Sequence, residues 1–123
     1  MLLSQINAYR DIHKESLSGR DLEAEVLSCA AAKLQACYNN FDPQGSVEVL
    51  FDALKNNQKL WTILQTEIAN PGNPLPKELK QDLLNLSIFI DKRTFDLMIN
   101  PNKERLEILI KININLAAGL RNK

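Results

Sequence analysis

The chain has 123 residues, 45% apolar and 24% charged, which is the composition of one globular domain able to bury a core. Fifteen basic residues balance fifteen acidic ones, so no overall field draws it to nucleic acid or an anionic membrane surface. No apolar run reaches the length of a membrane span. The start, "MLLSQINAYRDIHKES", lacks the basic region and apolar core of a signal peptide, and the expected compartment is the cytoplasm.

The apolar spacing is helical throughout. A short amphipathic helix is predicted over about 2–14, with Leu2, Leu3, Ile6 and Tyr9 on one side. "SLSG" at 16–19 ends it, and Ser18 with Asp21 resembles a capping box. A helix over about 20–39 turns Val26, Leu27, Ala30, Leu34, Cys37 and Tyr38 inward. Its small run "CAAA" permits close crossing by another helix. "NNFDPQGS" is loop chemistry, and Ser46 is a good N-cap for a helix over about 47–69. "NPGNPLP" stops that helix, and Pro76 suits the first turn of the next, over about 77–99. Leu79, Leu83, Leu86 and Ile90 form one stripe there, with Leu84, Ile88, Phe95 and Met98 around it. So wide an apolar girth predicts a central position. Pro101 starts a last helix over about 102–120. The alternation "KININ" at 111–115 could suggest a strand, but no second strand exists to pair with it. The expected fold is all-α: a four-helix bundle within residues 18–123, preceded by a helical segment at 1–17.

Catalytic chemistry is missing. His13 is the one histidine, and it reads as a surface side chain of the first helix. Cys29 and Cys37 fall eight residues apart in one predicted helix, roughly 12 Å by its rise, too far to bridge. They read as small buried apolar residues of a reducing compartment. No phosphate-binding glycine motif or metal-ligand spacing is present. Acidic residues stand beside basic ones, as in "KELKQD", which describes a solvated face. A binding protein, with no cofactor and no catalytic or metal site, is the expectation. From Lys103 onward five basic residues face two acidic ones. With no aromatic residue interleaved, a direct nucleic-acid contact is not expected from this segment.

Two residues break the apolar pattern. Val47, Leu50, Leu54, Asn57, Trp61, Leu64 and Ile68 step by three and four, and so do Leu106, Leu109, Asn113, Leu116 and Leu120. An asparagine takes a core position in each series. Three arrangements account for this. Both amides are inside and bonded to each other or to helix-end and loop backbone, fixing helix register as an asparagine does in a coiled coil. Alternatively, they line a groove that receives another helix, or the helices are rotated so that both are exposed. The first is preferred, with Trp61 a core residue whose indole N–H finds a carbonyl.

Several stretches together resemble the flagellar biosynthesis regulator FlaF family. They are "SGRDLEAEVLSCAAAKL" at 18–34, "ALKNNQKLWTIL" at 53–64, "NPLPKELKQDLLNLSIFIDKRT" at 73–94 and "LIKININLAAGL" at 109–120. The positions that carry the likeness are Leu54, Asn57, Leu60, Trp61, Leu75, Pro76, Arg93, Thr94, Asn113, Gly119 and Leu120. The family pattern commonly has a basic residue after the asparagine of the last helix, where this chain has Ile114.

The resemblance implies a small, non-enzymatic, cytoplasmic helical protein of bacterial flagellum biogenesis. It would act as a flagellin-specific secretion chaperone or a regulator of flagellin synthesis, with flagellin as partner. The alternative it implies is an adaptor or RNA-level regulator that controls flagellin translation together with the regulator FlbT. Flagellin termini are amphipathic helices, so an apolar groove for such a helix is expected. The wide apolar girth of the last two helices places it beside residues 84–98 and 106–120, with Leu84, Ile88, Phe95, Met98, Ile110 and Ile114 as its candidate lining and the 2–14 helix as its cover or as a fifth packing element.

Overall fold

The computed structural model describes residues 19–121 apart from 43 and 46, with the backbone alone for 19 and 20. The expected helix over 2–14, His13, and the caps assigned to Ser18 and Ser46 lie outside the described residues. Those residues form four helices: α1 (Gly19–Asn39), α2 (Val47–Ala69), α3 (Lys77–Ile99) and α4 (Lys103–Arg121). The "KININ" segment is helical, inside α4. Alternating polar residues there supply no partner strand, whereas Leu106, Leu109, Asn113 and Ala117 supply one buried helical stripe.

Each helix packs on the next in sequence, and α4 closes the ring against α1. The result is an up-and-down bundle with α2 and α4 on one diagonal, and α1 and α3 on the other. α1 and α4 run closest over most of their length. Ala24, Ala30 and Ala31 on α1 and Ala117 on α4 are buried and let the two backbones approach. Their antiparallel ends are tied at the surface: Arg121 Nη2 lies 3.3 Å from Glu25 Oε2 at one end. At the other, Lys103 Nζ sits 4.8 Å from the centre of the Tyr38 ring.

α3 is not central, contrary to its apolar girth. It leans on α2, touches α4 along a short stretch, and makes no close backbone approach to α1. Its buried face is Ser87, Ile90, Thr94 and Leu97, while Leu79, Ile88, Phe89, Phe95 and Ile99 are exposed. The girth therefore reflects two apolar faces, of which the bundle uses one.

The helix ends follow local chemistry. Asn102 caps α4, its Oδ1 accepting from the Arg105 N–H at 3.0 Å. Pro101 therefore precedes the cap instead of opening the helix. Pro76 likewise stands at the N-cap of α3, one residue before the expected first turn, with φ −58° and ψ 146°. Its carbonyl accepts the Lys80 N–H at 2.9 Å. Between α2 and α3, Asn70 Oδ1 accepts from the Gly72 N–H at 2.8 Å, and Asn73 Oδ1 from the Leu75 N–H at 3.0 Å. Asn73 Nδ2 donates to the Glu67 carbonyl at 3.1 Å. These side-chain turns fix the loop that carries Pro74 and Leu75.

Candidate functional site

The bundle centre holds a polar chain. The Trp61 indole N–H donates to Asn113 Oδ1 at 2.9 Å, and Asn113 Nδ2 donates to Asn57 Oδ1 at 2.7 Å. All three side chains are wholly buried. α2 and α4 stand on a diagonal, so these side chains span the core where the backbones do not meet. The two asparagines are thus inside and bonded to each other, the first of the three arrangements, and the indole finds a side-chain amide carbonyl. Asn57 Nδ2 has no partner, and neither have the buried hydroxyls of Ser87 and Thr94.

Beside this centre the bundle is open. α3 and α4 diverge where Leu79 and Leu83 face Leu116 and Leu120, leaving a hollow of about 430 Å³. Leu27, Trp61, Leu64 and Ile68 lie beneath it, and the fixed turn brings Pro74 and Leu75 to its rim. Glu23 and Glu67 are the charged residues of the lining. Gly119 is the one lining residue without a side chain. A Cβ placed there meets no atom within 4 Å, so packing does not demand glycine at this position. In a helix interior glycine costs roughly 1 kcal/mol relative to alanine, and here it leaves room in the hollow.

The residues singled out in the sequence fall into distinct places. Trp61, Leu75, Gly119 and Leu120 converge on the hollow. Leu54, Asn57, Leu60, Thr94 and Asn113 are buried in the bundle. Pro76 caps α3. Arg93 ties α3 to α4, its Nη1 donating to the Arg105 carbonyl at 3.0 Å with the guanidinium 5.1 Å from the Phe89 ring centre.

The hollow does not coincide with the groove expected beside Leu84, Ile88, Phe95, Met98, Ile110 and Ile114. None of the six lines the hollow. Ile110 is in the core, Leu84 and Met98 are half-buried, and Ile88, Phe95 and Ile114 are exposed. Sequence spacing correctly gave two helices rich in apolar residues. It could not show that they part at the opposite end, near 79–83 and 116–120. The signal for that end was Gly119 within an otherwise helical run.

Cys37 is buried and Cys29 exposed, so only one of the pair is a core residue. Burial raises the Cys29 thiol above its ordinary range, and Glu25 adds to this while Lys33 and Arg121 oppose it. Burial alone raises Cys37. Among the described residues no three potential metal ligands gather, and no helix is long and apolar enough to cross a membrane.

The profile of a family described as "Flagellar protein FlaF" matches residues 5–120. The chain belongs to the FlaF family. No curated protein and no solved structure matches it. In this FlaF-family bundle, the motif residues thus fall in the buried core with its polar chain, around an apolar hollow, and at the cap and outer tie of α3.

Proposed function

We propose that this chain is a non-enzymatic, cytoplasmic binding module that holds an amphipathic helix of flagellin in the hollow between α3 and α4. The observation that carries the reading is the hollow itself, apolar on its walls and floor, with Leu79, Leu83, Leu116 and Leu120 presented to it. An amphipathic helix docks by setting apolar side chains spaced three and four residues apart into such a groove. Family membership supports a flagellar partner. Sequestering an assembly helix in this way serves a secretion chaperone, because it keeps flagellin from polymerising before export. The regulator FlbT is the competing occupant of the same surface.

Gly119→Phe tests the reading without touching the core, since the space beyond its Cα is open. Titration calorimetry with peptides of the flagellin N- and C-terminal helices is the measurement. The intact protein is expected to bind one of them, and Gly119→Phe to weaken that binding at least about tenfold, roughly 1.4 kcal/mol, at unchanged helical content. Equal affinity of the two proteins rejects the hollow as the site. If neither peptide binds while FlbT does so in a Gly119-dependent manner, the hollow stands and flagellin is the wrong occupant.

A further inference from the structure

α3 is built with its residue types reversed. Two hydroxyls, Ser87 and Thr94, are buried without a partner, while Ile88, Phe95 and Ile99 are 60%, 62% and 69% exposed. At 3.6 residues per turn these three fall within roughly 40° of one another, on the side of α3 away from Ile90, Thr94 and Leu97. Leu84 extends the stripe by a turn, and the exposed Lys92 interrupts it. Three large apolar side chains in register on one outward face are not the scattered exposure normal for a soluble surface. This face is separate from the hollow, and its occupancy is independent of whether flagellin binds there.

We infer that the outer face of α3 is a dimerisation surface, occupied by the same face of a second copy running antiparallel to it. The pattern is self-complementary about a two-fold axis near residues 93 and 94. Such an axis sets Ile88 of one copy against Ile99 of the other, at both ends of the stripe. Between them, Phe95 lies over the aliphatic stem of the opposing Lys92. Lys92 and Asp96 sit on one flank of the stripe, and antiparallel two-fold pairing brings like flanks together. Each Lys92 therefore meets the other copy's Asp96, twice per interface. A parallel mate instead brings opposite flanks together, so each Lys92 loses the other copy's Asp96, and it aligns the helix dipoles. A stripe four turns long is small among specific interfaces, so the dimer forms and dissociates with concentration.

Sedimentation equilibrium of the full chain across a wide concentration range tests this. A monomer–dimer equilibrium is expected. Phe95→Asp, at an exposed position, is expected to raise the dissociation constant at least about tenfold with the circular dichroism spectrum unchanged. Lys92→Asp weakens the dimer, and Lys92→Asp combined with Asp96→Lys restores it. For the direction of pairing, Ile88→Cys and Ile99→Cys are made separately in a Cys29→Ser background. Mixed under mild oxidation they are expected to cross-link to each other, and each alone to remain largely uncoupled. A protein that is monomeric at every concentration overturns the inference. So does a dimer indifferent to Phe95→Asp, and so does coupling of Ile88→Cys to itself in preference to Ile99→Cys.

Discussion

Replacing the two central asparagines by leucine has unequal consequences, although the residues are bonded to each other and equally buried. Leucine has the branching of asparagine but is larger, so both variants, at equally buried positions, carry a similar change in apolar burial and packing, which cancels when they are compared. The difference lies in the groups left behind. In Asn113→Leu, the Trp61 indole N–H and Asn57 Oδ1 both lose their partner. In Asn57→Leu, Asn113 Nδ2 is orphaned, but the already unpartnered Asn57 Nδ2 disappears. Each buried polar group left unsatisfied costs about 1–3 kcal/mol. Asn113→Leu is therefore expected to be less stable than Asn57→Leu by roughly 2–6 kcal/mol, a large part of the roughly 5–15 kcal/mol a domain possesses. Adding Asn57→Leu to Asn113→Leu removes two unsatisfied atoms at once, so the double variant is more stable than Asn113→Leu alone. Urea denaturation gives all three values, read by circular dichroism and by the fluorescence of Trp61, the one tryptophan and a member of the polar chain. If Asn57→Leu is the more damaging single change, or the double variant is the least stable, Asn113 does not bridge Trp61 and Asn57 in these directions.

Two further outcomes arise from the side chains of the bundle. Thr94→Val replaces a buried, unpartnered hydroxyl by a methyl group of the same shape. It is expected to raise stability by about 1 kcal/mol, and a loss in urea denaturation would mean that the hydroxyl is bonded after all. Thiol titration with an aromatic disulfide is expected to modify Cys29 in the native protein and Cys37 only on unfolding. Because burial and Glu25 raise the Cys29 pKa, its rate climbs over a higher pH range than that of a free thiol. Charge reversal by Glu25→Lys, which removes the second of those causes, is expected to bring that range down, and no change would show that the Glu25 charge does not act on the thiol.

The helices were legible residue by residue. The boundaries of α2 and α3 agree with the apolar spacing and its punctuation by "NNFDPQGS", "NPGNPLP" and "NPNK". α1 and α4 differ from it by a single residue at their ends. Local rules are strong here because prolines, asparagines and glycines act on their own few neighbours. The candidate site was half legible. Trp61, Leu75, Gly119 and Leu120 stood out in sequence, but nothing in their spacing said that three loop and helix segments bring them to one hollow.

What the sequence determined by itself is the set of helices, the interruption of two apolar stripes by Asn57 and Asn113, and the absence of catalytic motifs. These depend on a period of 3.6 residues and on the chemistry of single side chains. Which neighbours each helix receives was settled only in three dimensions. Tertiary structure joined Asn57 to Asn113 and Trp61 across the diagonal, over more than fifty residues of chain. It also moved α3 from the expected centre to the edge. An apolar residue has the same periodicity whether it faces a core or solvent, so periodicity cannot assign α3 its buried face. Packing did so, placing Ser87 and Thr94 inside, leaving Ile88, Phe95 and Ile99 outside, and opening the hollow where α3 and α4 part.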